Sequence, residues 1–188
     1  MARQTENKEL DPQFLERWSP RSFLSDPLND KQINTLFEAA RWSPSCFNEQ
    51  PWLFAYARGQ SLNKFQAVLT AKNQQWASSA PLLVLVFSRK EFSHNNQPNA
   101  WAEFDTGAAW MSLALQAHKM GLACHAMGGF DKDKAFVAAK VDSEKFNAIC
   151  AIAVGKRGPL ETLDPAFHEK EAPSDRNPLA DMIQEVKD

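Results

Sequence analysis

A chain of 188 residues, 44% hydrophobic and 23% charged, can bury roughly 70% of the surface its unfolded form exposes and so support a core of its own. A formal net charge of −2 argues against nucleic acid as a partner, and no apolar run approaches the ~20 residues of a membrane span. The opening MARQTENKELDPQ lacks the apolar stretch of a secretory leader, so the cytoplasm is the expected compartment.

In chain order, residues 1–9 read as a flexible polar tail. Asp11-Pro12 offers a cap followed by a proline suited to the first helical turn, opening a short helix through Phe14 and Leu15 toward Arg17. Asn29 and Gln32 have capping-box spacing, and Ile33, Leu36, Phe37 and Ala40 recur at i, i+3, i+4, i+7, which predicts a helix with one buried face to about Trp42. A loop of turn formers, Ser43 to Pro51, leads into the aromatic run Trp52 to Tyr56, a predicted strand. Leu62, Phe65 and Leu69 suggest another helix. Pro81 to Phe87 is a continuous apolar run typical of a strand covered on both faces, and a polar loop follows from Ser88 to Asn99. The longest predicted helix runs from Trp101 to about Met120, stopped by Gly121. A helix near Lys132 to Ala139 precedes a last apolar strand, Ala148 to Val154. With no repeat and no long linker, the pattern is α+β and a single domain over 1–188.

Between Asp105 and His118 the long helix carries no charge and shows apolar or small residues on nearly every face, as helices buried all round do. A chain of this size has difficulty surrounding one helix. The missing wall is therefore expected from a second subunit, with Gly107, Ala108 and Ala109 permitting close approach; a central helix of a monomer is the alternative. Six tryptophans and thirteen phenylalanines supply apolar area for an obligate interface of roughly 2,000–5,000 Å².

Among only seven glycines there is no GxGxxG, and GxSxG, HExxH and Walker motifs are also missing. His94, His118, His125 and His168 lack ligand spacing, so no metal is assigned. Cys46, Cys124 and Cys150 form no CxxC and read as small buried apolar residues. Glu103 and Asp105 sit where carboxylates favour a helix N-terminus, with acid/base work as the alternative. Three clusters stand out. Arg17-x-Ser19-x-Arg21 places two guanidiniums and a hydroxyl on an extended segment held by Pro20, a trio able to bind a phosphate dianion or simply to form charged surface. Ser43-Pro44-Ser45-x-x-Asn48-x-Gln50-Pro51-Trp52 concentrates groups that can contact a polar heterocycle, or forms a plain loop. Met127-Gly128-Gly129-Phe130 gives a flat ligand access to backbone N–H groups, or makes a turn.

Together and in this order the three clusters resemble the nitroreductase-like flavoprotein family. The resemblance extends over nearly the whole chain, through Asn73-Gln74 before Ala80-Pro81, Asp105-x-Gly107-Ala108-Ala109, Gly121-Leu122 and Arg176-Asn177-Pro178-Leu179. It implies a three-layer α/β sandwich with a central, mostly antiparallel sheet flanked by helices, in an intertwined homodimer with FMN at the subunit interface. It further implies that Arg17, Ser19, Arg21 and Arg176 hold the phosphate and ribityl end, and that Pro44, Ser45 and Asn48 reach the same flavin from the other subunit. By the same resemblance Asn73 meets the pyrimidine edge of the ring, with the Gly128 and Gly129 backbone facing N5 and O4. The position two before Arg176, often basic in such proteins, is Ser174 here, so phosphate binding is either weaker or completed by its hydroxyl. Trp101 and Phe104 are candidates for a lid over the acceptor, with core packing as the alternative.

The implied chemistry is hydride transfer from NADPH or NADH through flavin N5 to an electron-poor acceptor, a nitroaromatic, quinone or similar compound, in a ping-pong cycle that needs no catalytic side chain. Two other readings stand beside it: a specialised flavin enzyme of the same fold (a dehalogenase, dehydrogenase or flavin-fragmenting enzyme) and a non-catalytic flavin carrier or redox sensor.

Overall fold

The computed structural model describes Arg3, Thr5 and residues 7–187. Its helices are α1 (Gln13–Glu16), α2 (Asp30–Arg41), α3 (Leu62–Gln66), α4 (Ala71–Ala77), α5 (Ala102–Lys119) and α6 (Lys132–Ala139), and its strands are β1 (Trp52–Arg58), β2 (Leu82–Arg89), β3 (Ala123–Met127) and β4 (Phe146–Gly155). The strands form one sheet in the order β1-β2-β4-β3, with every neighbouring pair antiparallel. This is the α+β sandwich that the sequence implies.

The pleat of the central strands divides the core in two. Leu82, Val84 and Val86 of β2 and Ile152 and Val154 of β4 face Ile33, Leu36 and Ala40 of α2 and Ala109, Leu113 and Ala117 of α5. Their alternates, Leu83, Leu85, Phe87, Ala151 and Ala153, face Phe65 of α3, Trp76 and Ala77 of α4 and Ala135 of α6. The sheet is thus the middle of three layers, and because β2 is buried on both faces its residues read as an unbroken apolar run. Ala148 pairs with Phe87 and Cys150 with Val86, so a bulge at Ile149 interrupts the ladder and turns both Ile149 and Cys150 toward the α2/α5 side.

Local chemistry sets the element ends. Asn29 Oδ1 accepts from the Gln32 amide at 2.9 Å and Gln32 Oε1 accepts from the Asn29 amide at 3.0 Å, the reciprocal cap anticipated for α2. Gly121 ends the long helix with a φ of 70°, in the left-handed region that glycine enters freely. Among the described residues no helix is long and apolar enough to cross a membrane.

Several expectations need correction. The alternative of α5 as a central helix enclosed by its own chain does not hold: Ala109, Leu113, Ala114 and Ala117 are covered, but Trp101, Phe104 and Gly107 are exposed and Trp110 and Met111 only half-buried. The Leu62 helix ends at Gln66, and Leu69 instead bridges Phe130. Strand β2 continues through Ser88 and Arg89, residues assigned to a loop. Helix α4 and strand β3 were not anticipated. Of the cysteines only Cys124 is buried, Cys46 and Cys150 being partly covered; burial pushes the Cys150 thiol up to about 12 and Cys124 higher still, which keeps both protonated. The flexible tail expected over residues 1–9 lies partly outside the described residues; within it the Arg3 guanidinium donates to the carbonyls of Ser174, Leu15 and Arg17.

Candidate functional site

The segment after α1 is extended, as Pro20 requires, and it is fastened at several points. Glu171 accepts from the Arg21 amide through both carboxylate oxygens, at 2.8 and 3.1 Å, and from the Ser22 amide at 3.0 Å. Pro20 O accepts from His125 Nδ1 at 2.9 Å, and beyond the arginines Phe23 bridges Arg157 after β4. So held, Arg17, Ser19 and Arg21 line one cavity of about 520 Å³, with Arg3, Lys170, Ser174 and Arg176 on its other walls. Glu169 is the one acidic residue in that lining.

This cavity has the electrostatics of an anion site. Arg17 Nε is buried and has no hydrogen-bond partner among the described residues, a state that costs free energy. Burial and the neighbouring Arg176 guanidinium hold Arg17 below the ordinary arginine value. Arg176 Nη1 meanwhile donates to Ser174 O, Ser174 Oγ and Asp175 O, so the Ser174 hydroxyl lies beside the guanidinium it was expected to assist.

Arg21, His125 and Lys170 also line a second cavity of about 730 Å³, so the two cavities adjoin and share these three residues as walls. The second is also lined by Thr70, Lys72, Asn73, Trp76, Gly128 and Gly129. The Asn73 side chain donates to Gly129 O at 2.9 Å, and the Thr70 amide donates to the same carbonyl at 3.1 Å. The two glycines differ. At Gly128 a β-carbon would meet nothing within 4 Å, so its backbone is open to a flat ligand; at Gly129 a β-carbon would stand 2.7 Å from Asn73 Nδ2 and 3.1 Å from Thr70 Oγ1. Gly129 is therefore required by the packing of α4 against the turn after β3, rather than by access to the cleft alone.

Seven of the expected site residues, Arg17, Ser19, Arg21, Asn73, Gly128, Gly129 and Arg176, thus line a two-chambered cleft made by the adjoining cavities. Pro44, Ser45 and Asn48 are not in it. Their loop lies against the N-terminal end of α5: the Cys46 amide donates to buried Asp105 at 3.0 Å, Ser43 Oγ meets Ser112 Oγ at 2.7 Å, and Ser45 Oγ accepts from the Gln50 amide. Phe47, Asn48 and Gln50 all have positive φ, near 50°, a strained run that such bonds must sustain. Asp105 therefore positions this loop, a task more specific than balancing a helix dipole. Trp101 and Phe104 are 56% and 76% exposed and outside the cleft, so neither is core packing within the chain.

Sequence reading missed part of the lining: Arg3, Thr70, Lys72, Trp76, His125 and Lys170. His125, set aside as a metal ligand, packs against Trp76 with ring centroids 4.5 Å apart and the rings tilted by 40°, and Arg21 lies 6.0 Å from the same tryptophan ring. No local motif marks these residues; only the sheet and the return of the C-terminal segment bring them together.

Comparison with known proteins identifies the family. A model of the Nitroreductase family matches residues 15–71 and 55–156. A Ralstonia nicotianae protein with a provisional NADH dehydrogenase/NAD(P)H nitroreductase name is 28% identical, over 87% of this chain and 94% of its own length. The oxygen-insensitive NADPH nitroreductase of Helicobacter pylori is 25% identical, over 76% of this chain and 84% of its own. A crystal structure of an oxidoreductase containing FMN superposes with a TM-score of 0.93 at 38% identity, covering 98% of this chain and 95% of that one. This chain belongs to the Nitroreductase family.

Proposed function

We propose that this protein is an FMN-dependent oxidoreductase that takes electrons from NADH or NADPH and reduces an electron-poor small molecule such as a nitroaromatic or a quinone. The observation that carries the reading is this pair of adjoining cavities, one cationic, with Arg17, Arg21 and Arg176 in its lining, and the other lined by Asn73, Gly128 and Gly129. FMN has the matching polarity, a phosphate dianion joined by a ribityl chain to a flat heterocycle. The similar oxidoreductase containing FMN and the NADPH nitroreductase of Helicobacter pylori support the choice of cofactor and donor.

In this reading Arg17, Arg21 and Arg176 hold the phosphate through charge-assisted hydrogen bonds, and the Ser19 hydroxyl supplies a further donor. Asn73 keeps one amide N–H on Gly129 and offers its Oδ1 and second N–H to the pyrimidine edge. The Gly128 N–H, on a residue that lines the second cavity and carries no side chain, stabilises negative charge developing on the ring. FMN held there would supply two-electron hydride chemistry between a nicotinamide donor and the acceptor, in a ping-pong cycle. Pro44, Ser45 and Asn48 serve the cofactor of a second copy of the chain, across an interface that covers the open face of α5 and places Trp101 and Phe104 over the acceptor.

An anaerobic visible spectrum of the purified protein, with released flavin identified, tests the reading when NADPH and then NADH are added. A flavin band that bleaches with either donor is expected. A bound flavin that neither donor bleaches overturns the reductase assignment in favour of a carrier, and protein that cannot be loaded with FMN overturns the flavin assignment.

A further inference from the structure

We propose that Arg3 is a further anchor for the flavin phosphate, a guanidinium carried in from the N-terminal segment to the place where Ser174 provides no charge. This rests on the FMN reading above and extends it to a residue outside the motifs that suggested it.

Arg3 belongs to no recognisable motif, and its position follows from three hydrogen bonds. Nε donates to Ser174 O at 2.8 Å, and Nη1 donates to Arg17 O at 2.8 Å and to Leu15 O at 3.2 Å. The three carbonyls come from the C-terminal segment, the first arginine of the RxSxR segment and helix α1, so they fix the guanidinium plane from two sides. They leave Nη2 without a partner among the described residues, on a side chain that lines the same cavity as Arg17, Ser19, Arg21 and Arg176. An arginine pinned by backbone carbonyls with one nitrogen still free is preorganised to meet an anion.

Charge supports the geometry. Burial, then the neighbouring Arg176 and Arg17 guanidiniums, hold Arg3 below the ordinary arginine value, with Asp175 pulling weakly the other way. Three guanidiniums that repel one another around a cavity are stabilised when a dianion enters. Arg3 thus supplies through tertiary structure the positive charge that position 174 lacks. It also ties the N-terminal and C-terminal segments to the same ligand.

The test separates phosphate binding from a merely structural tie. Flavin-free full-length protein is titrated with FMN and with riboflavin, which lacks the phosphate, for the wild type, Arg3→Ala and Arg3→Lys, with thermal melts as a folding control. Arg3→Ala is expected to weaken FMN about tenfold, the size of one charge-assisted hydrogen bond, while changing riboflavin by less than about twofold, and Arg3→Lys is expected to recover part of the loss. Unchanged FMN affinity in Arg3→Ala overturns the proposal, and so does an equal loss for both flavins, which marks a structural role. Wild-type protein that binds neither flavin overturns the flavin reading and the role of Arg3 together, an outcome distinct from wild-type binding with an indifferent Arg3.

Discussion

The Asn73 side-chain nitrogen that donates to Gly129 O at 2.9 Å is also the atom that a β-carbon on Gly129 would meet at 2.7 Å. A β-carbon on the adjacent Gly128 would meet nothing within 4 Å. The pair therefore separates folding from binding. Gly129→Ala is expected to destabilise the protein by about 1–3 kcal/mol, the usual cost of overpacking, as read by urea unfolding. Gly128→Ala is expected to stay within about 0.5 kcal/mol of wild type in the same assay while weakening FMN, because only a ligand meets the new methyl group. Equal stability losses for the two variants contradict this division of labour.

Arg21 is held from both sides, its Nη1 donating to Lys170 O at 3.0 Å and its guanidinium lying near the Trp76 ring. Arg21→Ala is expected to yield protein that loses flavin on gel filtration and sediments with a smaller dimer fraction, since the cofactor and the proposed interface share this region. A variant that retains a full complement of flavin removes the phosphate assignment for Arg21.

Glu171 anchors the same segment without facing the ligand as a cation would. Its carboxylate accepts the amides of Arg21 and Ser22, and Glu171→Gln replaces one accepting oxygen by a donor that repels an N–H. A loss of about 1–3 kcal/mol is expected in chemical denaturation, as for hydrogen bonds to a charged group, together with weaker FMN binding. Wild-type stability in this variant contradicts the anchoring role.

His125 gives a pH dependence of definite sign. Burial, aided by the Arg21 charge, holds its pKa below the ordinary histidine value against the opposing pull of the Pro20 carbonyl and Glu171. The unfolded chain, with its histidines near about 6.5, therefore binds more protons than the folded chain as the pH falls below that value. The contribution of neutral His125 to stability is present above about pH 6.5 and is lost as the pH falls through the folded pKa. In paired unfolding measurements at pH 7 and pH 5, wild type is expected to lose more stability than His125→Gln. An identical loss in both removes the assignment.

Legibility from sequence followed the reach of each signal. Helix α2 was readable because its apolar spacing and reciprocal cap are local, and β2 and β4 because both of their faces are buried. Helix α4, AKNQQWA, buries only Trp76 and Ala77 over seven residues, too short a stretch to show a period. Strand β3, ACHAM, is a five-residue edge strand whose neighbour β4 lies far along the chain. The same limit applies to the site. The arginines of the RxSxR segment, Asn73 and the double glycine carry the family resemblance, whereas Arg3, His125 and Lys170 join the cleft only through long-range contacts with Ser174, Pro20 and Arg21. The packing of α5 shows a related limit, because an uncharged helix sequence fixes that most of its surface is to be covered and leaves open which chain covers it.

The most direct measurement is a crystal structure of the protein grown with FMN. The expected result is the phosphate between Arg17, Arg21 and Arg176 and the pyrimidine edge of the ring at Asn73, with Pro44, Ser45 and Asn48 of a second copy against the same flavin. FMN bound away from this cleft, or crystals in which saturating FMN leaves the cleft empty, would contradict the account.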